Sequence, residues 1–465
     1  MLRVLYRTLC RVFCIVGTVR IVVAFGLTTA TRPVSARPAW SLACASGGPI
    51  PEAPAGQPRV RPVPHPVLTP AKPDLPLIRV SGFSQHDIQR AIDAAPPAGA
   101  RVVLPAGTYS LNANLNLAHK TNLTLDGAGT ATLAGVGIGN LLCVTGAVRH
   151  LTITGLTFVS NKSNTDGYDF GLICSFEQAP IDGLEIAHCT FTAPRCGING
   201  IKLNPHNGRT GVLVTNVRIH HNTFSNLGRM GVELQNHGWD HGDGTYRFDG
   251  VDVSNNQFTN LGLADGNNGM AVSFSGLGQN LTIAHNHVTD AKGYALELVG
   301  SRRARITDNT VRAVNNTFVG ISLTDNNHRV TGQITVARNS VNVRGRAMLI
   351  YGATHCLVVG NTLLSGQAND FIVSGSTFRA NTVRVADYNA MIFEDTCTGN
   401  RITENAFSNA EFHDCYALLS FRGRHTRGNS ATKNKLIMGK PGNRLTTEQI
   451  NGASNNTLSD NVLTR

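Results

Sequence analysis

At 465 residues the chain is longer than the roughly 100–200 residues of an ordinary globular domain, so it holds several domains or one repeat that grows by addition. Aromatic residues make up only 6% and charged residues 15%, while glycine numbers 48, which suits many short strands and tight turns and excludes an all-helical fold. Of the net charge of +12, residues 1–79 carry +8, with 10 Lys and Arg against 2 Asp and Glu; the remainder carries +4 and no basic tract interleaved with aromatics, which argues against a nucleic-acid partner.

The chain opens like an export signal. Arg3, Arg7 and Arg11 precede a mostly apolar run from Val12 to Ala30, interrupted by Arg20, and Val34-Ser35-Ala36 offers a small-residue cleavage site. Residues 1–36 are therefore expected to be a signal peptide, and the chain to be secreted, extracellular or held at a cell surface. The uninterrupted apolar stretch falls short of the about 20 residues of a membrane span, so no stable span is expected. Leu42-Ala43-Cys44 has only poor spacing for a lipid-anchored cysteine. None of the ten cysteines forms a CxxC pair, so no metal cluster is expected. Cys397 and Cys415 stand about one repeat apart, which allows a disulfide or two buried thiols.

Residues 37–79 read as a proline-rich linker, with Pro62-Val63-Pro64-His65-Pro66 favouring extended polyproline conformation. Residues 80–100 form a cap: Ser84 is a helix N-cap with Asp87 at the third helical position, and Ile88, Ala91, Ile92 and Ala95 share one face. Such a helix covers the open end of a solenoid. Arg101 to Ser110 then reads as a strand entering a tight turn.

Beyond it one unit recurs: two alternating apolar residues, two polar residues, an asparagine, any residue, and an apolar residue. Examples are Val217 to Phe224, Val251 to Phe258 and Leu281 to Val288, and the asparagine returns as Asn309, Asn339, Asn361, Asn381, Asn405, Asn434 and Asn461 at intervals of 20 to 34 residues. Period-2 alternation inside a unit of that length is one turn of a parallel β-solenoid with rungs about 4.8 Å apart. The asparagine is expected to take the left-handed backbone at the corner and to hydrogen-bond its counterpart in the next coil, a structural and not a catalytic role. The fold expected for residues 80–465 is all-β, a parallel β-helix of about 10–12 coils.

Together with Leu104-Pro-Ala-Gly-Thr-Tyr109, the cap helix and the asparagine-marked coils resemble the right-handed parallel β-helix proteins of the pectate lyase and polygalacturonase superfamily. That resemblance implies an extracellular polysaccharide lying along a strand face and cut by hydrolysis or β-elimination, or epimerised. Asn164-Thr-Asp-Gly167 is similar to the first catalytic motif of polygalacturonases, but the later motifs of that pattern, an Asp-Asp pair, Gly-His-Gly and Arg-Ile-Lys, are absent, and Asp166 reads as a turn residue. Asn204-Pro-His206 is similar to an Asp-Pro-His motif of mannuronan epimerases with the carboxylate replaced by an amide.

A second strand, introduced by glycine, follows in many coils. Stacking its inward residues places Ile201 and Leu203 over Val232 and Leu234, then Met270 and Val272, Tyr294 and Leu296, and Ile321 and Leu323. One outward column then holds Lys202, Glu233, Ala271, Ala295 and Ser322; the next holds Asn204, Gln235, Ser273, Glu297 and Thr324; a third begins with His206 and His237. Polar groups converging beside an aromatic suit a sugar site. Glu233, Glu297, His237, Asp240 and Lys202 are the candidate catalytic residues, and His206, Asn204, Gln235, Trp239, Arg229 and Tyr351 the candidate substrate contacts. Hydrolysis would use Glu233 and Glu297 at the wider spacing of inverting glycosidases. A lyase would use Lys202 or His206 as base, with Arg229 or Ca²⁺, the latter on Asp240 and Asp243, to neutralise a uronate. No cofactor is otherwise expected. A non-catalytic carbohydrate-binding or adhesion solenoid is the alternative.

Overall fold

The computed structural model describes residues 75–163, 171–175, 180–204, 214–235, 246–264, 269–313, 317–325, 331–386, 389–409, 417–437 and 447–464. Residues 1–36, expected to be a signal peptide, and most of the stretch 37–79 read as linker lie outside them. The strand ladder starts at Leu77–Arg79, which pairs in parallel with residues 101–103, so ordered pairing begins inside the stretch read as linker. Its backbone groups are taken up by the next strand, which proline composition alone does not reveal.

The helix runs from Gln85 to Asp93 with both halves of a capping box in place: Asp87 N donates to Ser84 Oγ at 3.2 Å and Ser84 N to Asp87 Oδ2 at 3.2 Å. Ile88, Ala91 and Ile92 are buried beneath it. In the turn that follows, the Tyr109 hydroxyl donates to Pro105 O at 2.9 Å, which gives the buried phenol its partner.

A representative coil contains the strands Thr282–Ala284, His287–Ala291 and Gly293–Val299. Strands of the first two kinds form a 30-stranded sheet that turns the corner at each asparagine, and strands of the third kind form a 13-stranded sheet. All named pairings are parallel, each strand bonding to its counterpart one coil on, as in Thr282–Ala284 with Arg305–Thr307. The chain is a parallel β-helix, as expected, and among the described residues the second sheet has thirteen strands, including early rungs such as Leu115–Asn116 that carry no marker asparagine. No helix among the described residues is long and apolar enough to cross a membrane.

The core lies inside the coil. Phe158, Phe191, Phe224 and Phe258 stack with centroids 5.0, 4.7 and 4.8 Å apart. This column explains two of the glycines that introduce the second strand: a Cβ on Gly200 would lie 2.7 Å from Phe224, and one on Gly231 2.5 Å from Phe258.

The asparagines form one unbroken ladder from Asn222 to Asn461. Asn256 N and Nδ2 donate to Asn286 Oδ1 at 3.0 and 3.1 Å, and Asn286 repeats this to Asn309 at 2.9 and 3.0 Å. Each also caps a carbonyl of the preceding coil, as Asn286 Nδ2 does to Val253 O at 2.8 Å. The left-handed corner belongs to the residue before the asparagine, contrary to expectation: His221, Asn255, His285, Asp308, Arg338, Gly360, Ala380, Glu404, Lys433 and Asp460 have φ between 53 and 65°. The reason is geometric. A left-handed residue turns the chain so that the next side chain points inward, and there the amide finds its ladder partners.

Candidate functional site

The outward face of the 13-stranded sheet carries the polar column that alternation requires. Ile201 and Leu203 are buried against Val232 and Leu234, so Lys202 comes opposite Glu233, in the register expected from sequence. Lys202 Nζ lies 3.1 Å from Glu233 Oε2. The next rungs are displaced by two residues from the expected stacking: Val232 pairs with Val272 and Glu233 with Ser273, while Ser273 pairs with Glu297 and Glu297 with Ser322. The inward positions are filled by Phe274 and Leu298, and Met270 and Tyr294 lie before them. An even slip preserves the alternation of faces, so the apolar pattern alone cannot detect it. Its consequence is that Glu233 and Glu297 share one column, whereas Ala271 and Ala295 leave it.

The column points outward yet is covered. Lys202 and Glu233 are 1% and 2% exposed, so the expected solvated strip is a buried ionic cluster. Three donors converge on Glu233 Oε2: Arg229 NH1 at 2.7 Å, Asn199 Nδ2 at 2.7 Å and Lys202 Nζ at 3.1 Å. Asn199 in turn accepts from Met230 N at 3.1 Å and Arg229 NH1 at 3.4 Å, which fixes the turn holding the guanidinium. Burial works to raise the Glu233 carboxyl, but Arg229 and Lys202 outweigh it and hold it below the ordinary range.

Glu297 has the opposite environment. It accepts from Ser273 Oγ at 2.7 Å, and no cation among the described residues stands among its influences. Burial pushes it up to about 7 against the weaker pull of Ser273, and the charge on Glu233 adds to the rise. The two carboxyl groups, two rungs apart, therefore differ in protonation at neutral pH.

Four side-chain oxygens on this face are buried without a hydrogen-bond partner: Asn204 Oδ1, Gln235 Oε1, Ser275 Oγ and Ser322 Oγ. Gln235 and Ser275 are register neighbours. Tyr351 follows two rungs beyond Glu297, in the column of Val299 and Thr324, with its ring 38% exposed. Burial raises its hydroxyl to about 12, helped by Glu394 and Asp370. His206, His237, Trp239 and Asp240, with Asp166, Asp243 and Cys415, lie outside the described residues. Among the described residues no group of three or more His, Cys, Asp or Glu is placed to hold a metal ion.

The sequence reading overlooked Asn199 and Ser275. Asn199 had a signal, an amide directly before the glycine that opens the second strand. Ser275 had none, because only the corrected register sets it beside Gln235.

A family model described as "Right handed beta helix region" matches residues 174–311. Among solved structures, the A-module of mannuronan C-5 epimerase AlgE6 from Azotobacter vinelandii aligns over 82% of this chain and 95% of its own, at 16% identity and a TM-score of 0.52. The AlgE4 A-module from the same organism covers 81% of this chain and 95% of its own, at 15% identity and 0.50. PfbA, a surface adhesin of Streptococcus pneumoniae, covers 76% and 87% at 14% identity and 0.46. No curated protein matches the chain in sequence. The fold is thus a right-handed parallel β-helix.

Proposed function

We propose that the chain is a polysaccharide hydrolase, with Glu297 as the proton donor and the ligand lying along the outer face of the 13-stranded sheet. The observation that carries this reading is the divided pair of carboxyl groups: Glu297, pushed up to about 7, beside ionised Glu233. A carboxylic acid that keeps its proton near neutral pH matches what cleavage of a glycosidic bond asks of a general acid, and environments that drive two carboxyls apart divide acid from base. Two rungs separate the backbones by about 10 Å, near the wider carboxyl spacing of about 6.5–9.5 Å that admits a water in inverting hydrolysis.

The unpartnered oxygens of Asn204, Gln235, Ser275 and Ser322 are acceptors suited to sugar hydroxyls, and Tyr351 offers a face on which a pyranose ring stacks. His206, His237, Trp239 and Asp240 are kept as candidates for the same site on the amino-acid sequence alone. Lys202 and Arg229 are reassigned as positioning residues for Glu233. Lys202 is buried with its Nζ 3.1 Å from the Glu233 carboxylate, an ion-pair position that disfavours it as the base of a β-elimination and leaves hydrolysis ahead. Polysaccharide is also the ligand class named for the two epimerase modules that share the fold, and action outside the cell accords with the export-like leader. Ca²⁺ enters only if the reaction is elimination.

A non-catalytic binding solenoid is the second reading, favoured by the burial of Lys202 and Glu233. The full chain is incubated with a panel of neutral and acidic polysaccharides, scoring reducing ends and the absorbance of unsaturated uronates. New reducing ends without that absorbance, lost in Glu297→Gln, support hydrolysis. Unsaturated products assign a lyase, and saturable binding of a polysaccharide without any product assigns the binding solenoid.

A further inference from the structure

We infer that Cys143 and Cys174 form an inter-rung disulfide, closed by a thiol–disulfide oxidant between the second and third rungs of the 13-stranded sheet. The two residues are register partners on the adjacent strands Leu142–Val144 and Gly171–Ser175. Their sulfurs face each other at 3.0 Å. Adjacent rungs hold Cα atoms about 4.8 Å apart, inside the roughly 4.4–6.8 Å that a disulfide spans. Other described cysteines turn to backbone carbonyls instead, Cys189 to Ala187 O at 3.3 Å and Cys397 to Phe371 O at 3.1 Å. Cys174 is also the register partner of Lys202, so the bond would fasten the rung next to the one on which the ionic column begins.

The two thiols are unequal. The hydrogen bond with Cys174 holds Cys143 below the ordinary thiol range, whereas burial pushes Cys174 well above it. Cys143 therefore attacks first. Its thiolate takes one sulfur of the oxidant's disulfide and expels the other as a thiolate, giving a mixed disulfide. Cys174 then loses its proton, attacks the Cys143 sulfur and releases the second oxidant sulfur. Two cysteine thiols give up two electrons and two protons, and the oxidant's disulfide leaves as two thiols. Cys143 is 3% exposed and Cys174 fully buried, so the oxidant reaches Cys143 through a local opening of the stacked rungs while Cys174 stays covered.

The test uses the full chain exported to an oxidising compartment, quenched in acid, alkylated with iodoacetamide in denaturant and digested without reduction. A peptide pair joined through Cys143 and Cys174 is expected, replaced by two alkylated peptides after dithiothreitol, with a lower melting temperature for the reduced protein. Cys174→Ser should trap an oxidant or glutathione adduct on Cys143, and Cys143→Ser should leave Cys174 unmodified. Alkylation of both residues without reduction, or linkage of either to another cysteine, overturns the proposal. The map of the unsubstituted chain decides the case even where a variant fails to fold.

Discussion

Glu233 and Glu297 point outward from one column with Ser273 between them, and opposite environments leave one carboxyl ionised and the other protonated toward neutral pH. The difference comes from what stands beside each. Glu233 has a guanidinium, an ammonium and an amide on a single oxygen, and Glu297 has one hydroxyl.

Glu297 makes stability depend on pH in a definite direction. Its folded pKa of about 7 lies above the ordinary 4.5, so the native state holds the proton more tightly. The contribution is complete below about 4.5 and is lost as pH rises through about 7, amounting to about 3 kcal/mol at higher pH. Denaturant midpoints measured from pH 5 to 9 should fall for the natural chain and stay flatter for Glu297→Gln. Equal slopes would mean that Glu297 ionises normally.

The same proton sets the pH profile of the proposed hydrolysis. An acid that must be protonated gives kcat/KM that declines as pH rises through about 7. An activity that rises across that range on a confirmed substrate would remove Glu297 from the role of acid.

Glu233→Gln should destabilise strongly, because the buried charges of Lys202 and Arg229 lose their counter-ion; removing one partner of a buried pair costs about 3–5 kcal/mol. The double substitution Lys202→Met, Glu233→Leu should recover part of that loss. Urea unfolding of the single and double variants measures the coupling, and a stable Glu233→Gln would show the cluster to be open to water.

Asn286→Ala should cost several kcal/mol, since Asn256 N and Val253 O lose buried partners worth about 1–3 kcal/mol each. The equivalent change at Asn461, the last step of the ladder and only partly buried, should cost less. Thermal unfolding of both variants tests the order.

Tyr351→Ala should leave the melting temperature nearly unchanged, because the ring is 38% exposed, and should weaken oligosaccharide binding about tenfold, the scale of one lost stacking contact of about 1.5 kcal/mol. Calorimetric titration with the active polysaccharide's oligomers reads the change, and unaltered affinity would take Tyr351 out of the site.

The amino-acid sequence by itself determined the coil: period-2 alternation, the recurring asparagine and the Ser84 cap are local signals, and the structure bears out the alternation, the cap and the asparagine ladder, moving only the left-handed corner to the residue before the asparagine. It also determined that Lys202 meets Glu233, because only one register buries Ile201, Leu203, Val232 and Leu234 together. Tertiary structure alone decided that Glu297 joins the same column, since a slip of two residues exchanges one apolar pair for another and leaves the pattern intact. Burial was decided there as well. Alternation shows that Lys202 and Glu233 face outward, whereas their burial, and the pairing of Glu233 with Arg229 and Asn199 brought together across a turn and a rung, turn a polar strip into a paired charge two rungs from a carboxyl that holds its proton toward neutral pH.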